Sequence, residues 1–62
     1  MKLGLWFKSF PTEPGKYAKQ PVGFKYPEIV EIVRGPDDTL LELSNGKFWG
    51  LKEGASWAKV ED

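Results

Sequence analysis

Seven Gly and five Pro are scattered through a chain of 62 residues, and this punctuation constrains the fold more than any other feature. An amphipathic helix needs apolar residues at i, i+3, i+4 and i+7 over about 11 residues or more. The breakers leave almost no room for such a stripe. What lies between them is a series of short apolar runs bounded by turn chemistry, which reads as β-strand. The sequence predicts an all-β protein: a single small domain over residues 1–62, built as a meander of five to six short antiparallel strands, closed or half closed like an SH3-type barrel.

Strands are predicted at 3–10, 16–19, 28–34, 39–44, 47–51 and 57–60. Residues 11–15 read Pro-Thr-Glu-Pro-Gly, a turn in which Pro fixes φ and Gly accepts a positive one. The two prolines also fit the spacing of a polyproline ligand, but their place between strands favours the turn. Residues 20–27 contain Pro21, Gly23 and Pro27 and read as an extended loop or an edge, because Pro cannot donate to a central ladder. Residues 35–38 form a four-residue connection suited to a type I turn. Asn45-Gly46 is a strong signal for a two-residue type I′ hairpin.

The hairpin sets a register. Ser44 faces Lys47, Leu43 faces Phe48, Glu42 faces Trp49, Leu41 faces Gly50 and Leu40 faces Leu51. A four-residue connection at 35–38 would then set Arg34 opposite Thr39, Val33 opposite Leu40, Ile32 opposite Leu41 and Glu31 opposite Glu42. On that register Val30, Ile32, Leu41, Leu43 and Phe48 share a wholly apolar face, the expected core. The other face mixes Ile29, Glu31, Val33, Leu40, Glu42, Trp49 and Leu51. Either the aromatic N-terminal segment covers that mixed face or part of it is a binding patch. Like charges at Glu31 and Glu42 are the weak point, since a direct pairing of carboxylates is destabilising. A three- or five-residue connection would shift the pairing by one and exchange the faces of strand 28–34.

With no Cys there is no disulfide framework or thiolate zinc site, and with no His the usual general base and metal ligand are missing. No catalytic constellation emerges, so the chain is expected to be no enzyme and to need no cofactor or metal. Asp37-Asp38 reads as turn chemistry. Nothing resembles a signal peptide or a membrane span, and a chain without Cys fits the cytoplasm. So short a chain buries only about 60% of its unfolded surface and is marginally stable.

Net charge is zero, but it is segregated. Residues 1–26 carry five Lys against Glu13, while 27–62 carry four basic against eight acidic side chains. The basic part also holds six of the nine aromatics: Trp6, Phe7, Phe10, Tyr17, Phe24 and Tyr26. In so small a domain most of these rings are expected inside. Lysines interleaved with aromatics suit single-stranded DNA or RNA, whereas complementary charged patches suit a protein partner.

Trp6, the Pro11-x-x-Pro14-Gly15-Lys16-Tyr17 turn, the Asn45-Gly46-Lys47-Phe48-Trp49 hairpin and a closing Trp57 resemble the layout of small uncharacterised β-domain proteins encoded by phages and prophages. The long 21–27 segment departs from that layout. The resemblance implies a short accessory protein, cytoplasmic in the host cell, that binds and inhibits a host factor. No functional residues transfer with it. The expected function is therefore a non-enzymatic protein-binding module, with a small single-stranded DNA or RNA binder as the alternative. Pairing with a second copy through an edge strand is a further option. The candidate binding residues are Trp49 with Leu40, Glu42 and Lys47 around it, and Trp6 and Tyr26 as alternates, since Trp and Tyr are enriched at binding hot spots.

Overall fold

The computed structural model describes residues 2–61; Met1 and Asp62, the latter counted in the acidic part, lie outside the described residues. Six strands form: β1 (Lys2–Leu3), β2 (Gly15–Pro21), β3 (Glu28–Arg34), β4 (Leu40–Ser44), β5 (Lys47–Gly50) and β6 (Ala55–Glu61). They make one antiparallel sheet in the order β1-β6-β2-β3-β4-β5. β2 to β5 run as a meander, and β6 returns to lie between β1 and β2. No helix occurs among the described residues, and so none is long and apolar enough to cross a membrane.

The Asn45-Gly46 turn forms as its chemistry requires. Both residues take positive φ, 54° and 75°, the type I′ condition. Ser44, Leu43, Glu42 and Leu41 pair with Lys47, Phe48, Trp49 and Gly50 as expected.

The preceding connection differs. Arg34 pairs with Leu40, Val33 with Leu41, Ile32 with Glu42 and Glu31 with Leu43, so the loop spans five residues rather than four. The Asp38 N–H donates to the Gly35 carbonyl at 3.1 Å, closing a tight turn. Asp38 then adopts a left-handed conformation, φ 69°, and Thr39 is absorbed into the loop. An Arg34–Asp38 ion pair at 2.9 Å clasps it from outside. The one-residue shift removes the Glu31–Glu42 clash and exchanges the faces of β3.

That shift relocates the core. Val30 and Ile32 are buried, as expected, but they share their face with Glu42 and Trp49 rather than with Leu43 and Phe48. Leu41 and Leu43 are half-buried on the opposite face, and Phe48 is exposed there. The core cluster is Tyr17, Val30, Ile32, Ala55 and Trp57, with Phe7, Leu40 and Leu51 packed against it. Trp57 is wholly buried, edge-to-face with Tyr17 at 6.4 Å, and Tyr17 in turn meets Phe7 edge-to-face at 6.3 Å.

The expected strand at 3–10 is reduced to β1 and a separate Phe7–Trp57 bridge. Leu3 pairs with Val60, yet Phe7 pairs with Trp57, so the first segment carries one residue more than its partner between the two points. The excess bulges outward and leaves Leu5 91% exposed. The 57–60 strand extends to Ala55–Glu61, and 16–19 extends to Gly15–Pro21. Pro21 is tolerated because β3 stops pairing with β2 at Lys19, leaving only Ala55 opposite it.

Residues 11–14 form an irregular connection that bends at Glu13, and Gly15, expected in the turn, already belongs to β2. The Tyr17 hydroxyl donates to the Glu13 carbonyl at 2.9 Å, and the Glu13 carboxylate is ion-paired with Lys59 on β6. The hydrogen bond from Lys59 holds the Glu13 carboxyl below its ordinary 4.5, and the same bond raises Lys59 above 10.5.

Two expectations follow. Trp57→Ala should cost about 3–5 kcal/mol, much of the stability of a domain this size, and leave the chain largely unfolded in chemical denaturation. Trp57→Phe should cost much less, because the Trp57 indole N–H makes no hydrogen bond that the change would lose. For the ion pair, the depressed Glu13 value means its contribution is present above pH 4.5 and fades as pH falls through the folded value; the raised Lys59 value means it also fades as pH climbs through that value. Carboxyl-carbon NMR titration should therefore show Glu13 titrating low in the native protein and returning to about its ordinary value in Lys59→Gln.

Candidate surface groove

Side chains on the core face of β2, β4 and β5 meet at the open end of the sheet. Lys19 on β2 reaches across the intervening β3, and its Nζ donates to Glu42 Oε1 on β4 at 2.7 Å. Flat neighbouring strands lie about 4.8 Å apart, so this two-strand reach uses most of both side chains. The same Nζ lies 5.5 Å from the Trp57 ring centroid, a cation–π contact. The Glu42 side chain keeps only 7% of its exposure and Lys19 18%. A buried ion pair thus sits at the boundary between core and surface, linking the basic N-terminal part of the chain to its acidic C-terminal part.

Around this pair and the ends of β2 and β6 lies a series of open hollows that share lining residues, together called the groove. The first, about 220 Å³, lies between Lys19, Glu42, Trp49 and Lys52. Lys19 and Lys52 also border the next, about 250 Å³, which continues along Val22 and Gly54. Val22 and Gly54 in turn border the largest, about 480 Å³, flanked by Phe24 and Lys8. Lys8 leads to the last hollow, beside Phe10. One wall is formed by Val22, Gly23 and Phe24 of the 22–27 turn, set by Gly23 at φ 86° and held by a Gln20 amide donating to the Phe24 carbonyl.

The structure brings some candidate residues together and not others. Trp49 and Glu42 stand opposite each other in register and line the same hollow. Lys47 is exposed at the start of β5, opposite Ser44. Leu40 is half-buried and packed against the core cluster, so much of its apolar area already serves the fold. Tyr26 is 76% exposed on the 22–27 turn. Trp6 is 45% exposed in the bulged N-terminal segment, separate from the residues that line the groove.

Sequence reasoning missed Lys19, Val22, Phe24 and Lys52 as groove residues. The clue was Pro21 and Gly23 closing a tight turn with apolar residues on it. The expectation that most of the six N-terminal rings lie inside is overturned: Tyr17 is in the core with Phe7 against it, while Trp6, Phe10, Phe24 and Tyr26 are exposed, as are Phe48 and Trp49 of β5. A core built on one fully buried Trp has room for few other rings.

Among the described residues no group of three or more acidic side chains is placed to hold a metal. Asp37 is engaged in its own turn: hydrogen bonds from the Thr39 side chain, then from backbone N–H groups, hold its carboxyl below 3.8.

The ion pair makes a sharp prediction. Removing one partner, as in Lys19→Met or Glu42→Leu, strands the other charge and should cost about 2–4 kcal/mol, trimmed from the fully buried figure by the residual exposure of Lys19. Replacing both at once should be neutral or stabilising in urea denaturation, because the desolvation penalty vanishes with the pair.

In comparisons with known proteins, no family model, no curated protein and no solved structure matches this chain.

Proposed function

We propose that the protein is a non-enzymatic module that binds another protein through this groove. One observation carries the reading: six of the nine aromatic rings are spent on the surface of a domain whose core is only a few side chains deep. Among the exposed groups, Val22, Phe24 and Tyr26 cluster on one turn, at 78%, 68% and 76% exposure. A domain of marginal stability gains nothing from exposing rings it could bury, and Tyr and Trp on a rim are favoured anchors for a partner chain. The charge supports a protein partner over a polyanion. The groove alternates lysines with Glu28, Glu42 and Glu53, so a phosphate backbone lying along it would meet carboxylates.

The strand order, a meander whose last strand returns beside its first, supports reading the sheet as an SH3-like half-open barrel. The phage-protein resemblance adds the expectation of an accessory protein in the host cytoplasm that blocks a host factor by occupying its surface.

A second reading keeps one specific observation on its side. Lys8 and Lys52 border the same hollows as the exposed Phe10, Phe24 and Trp49, the combination that grips single-stranded nucleic acid.

Selection from a displayed random-peptide library, followed by NMR shift mapping, separates the two. Selected peptides should shift the amides of 22–26 and 49–54, and Phe24→Ala or Tyr26→Ala should weaken them about tenfold, roughly 1.4 kcal/mol, with the melting curve unchanged. If no peptide binds there, while oligonucleotides do with an affinity that falls steeply as salt rises, the nucleic-acid reading replaces it.

A further inference from the structure

The sheet has two edges, and they are not alike. One is β1, two residues long. The other is β5, all four of whose residues are exposed. Proteins usually blunt a free edge with Pro, a bulge, inward charge or a covering loop. β5 is short and carries one Lys, Lys47 at its start, but it has no Pro or inward charge, and Phe48 and Trp49 stand 63% and 49% exposed.

The hairpin fixes which backbone groups are free. In a two-residue turn the flanking residues form a hydrogen-bonded pair, and pairs alternate outward from it. Ser44–Lys47 and Glu42–Trp49 are therefore the bonded pairs, and the N–H and C=O groups of Phe48 and Gly50 point away from β4. Gly50 also leaves open space where a side chain would stand.

We propose that β5 pairs antiparallel with β5 of a second copy of this chain, about a two-fold axis at Trp49. On that register each Phe48 lies opposite the second copy's Gly50, and both pairs use the outward N–H and C=O groups. Trp49 meets Trp49 on the core face. On the outer face each Phe48 ring covers the bare backbone of a Gly, a favourable cross-strand match. The alternative two-fold, centred on Phe48, joins only one outward-pointing pair within the strands. Charge placement agrees: the antiparallel register sends the two Lys47 ammonium groups to opposite ends of the junction, with no like charges face to face. The occupant is a second copy because this edge satisfies itself, residue by residue, without any outside sequence.

The rings and paired edges would bury roughly 800 Å² in total, short of the about 1,200 Å² of stable complexes, so the association belongs to the weak, concentration-dependent class. The surface shares Trp49 and Gly50 with one end of the groove but none of its 22–24 side, and the Phe24 and Phe48 variants let either proposal fail alone.

Sedimentation equilibrium tests it. The mass should rise from one chain towards two between ~10 and ~500 µM, as weak interfaces of this size do. Phe48→Pro, which removes an N–H that β4 does not use, should hold the mass at one chain, whereas Phe24→Ala should not change it. Amide exchange in the unaltered protein gives a second readout that survives any folding defect in the variant. Phe48 and Gly50 amides should become protected as concentration rises. A single-chain mass throughout, or a dimer in which those two amides stay unprotected, overturns the proposal.

Discussion

Everything in this fold leans on the indole of Trp57. Its backbone bonds the N-terminal segment through Phe7 on one side, with both N–H···O distances at 2.8 Å, and lies opposite Lys19 of β2 on the other. Its ring supports Tyr17 by its edge and Lys19 by its charge. Lys19 then holds Glu42. Through its backbone, its ring and Lys19, this one residue thus ties together four segments from widely separated parts of the sequence. A core made chiefly of Tyr17, Val30, Ile32, Ala55 and Trp57 has no second anchor to replace it.

The Lys19–Glu42 pair is the other unusual element. On stability alone, apolar groups would serve as well or better at these two positions. What the pair adds is register. Glu42 must face inward to reach Lys19, which excludes the one-residue slip that would turn Phe48 and Leu43 to the core. This specificity role accounts for a carboxylate being kept where the binary pattern of β4 would accept an aliphatic.

How much could be read from the chain depended on whether local chemistry decided the geometry. Asn45-Gly46 imposes positive φ by itself, so that hairpin and its pairings were legible. Residues 35–39 were not. The Glu31–Glu42 clash marked the four-residue connection as weak but not which neighbouring length replaces it; the Arg34 clasp and the Gly35–Thr39 backbone bond settle on five, one residue more. That single residue moved Glu42 and Trp49 to the core face and reversed the core expected of β4 and β5. The N-terminal strand failed for a related reason. Its apolar residues look continuous, but two fixed pairing points with unequal spacing force a bulge between them. Within the groove, Trp49 and Glu42 were visible as neighbours from the hairpin alone. The turn after β2 was open to reading from Pro21 and Gly23, but the place of Lys19 depends on pairing between β2 and β6, across some forty residues of chain, which no local pattern encodes.

That long-range pairing carries a consequence for how the domain comes into being. β6 supplies the partner for both β1 and β2, and Trp57 with it, yet among the described strands it is the last to be synthesised. Without β6 the β3–β4–β5 meander has its neighbouring contacts, but β2 keeps a bare edge and Tyr17 has no indole to rest on. Completion of the sheet therefore waits on β6 rather than proceeding from the first strand.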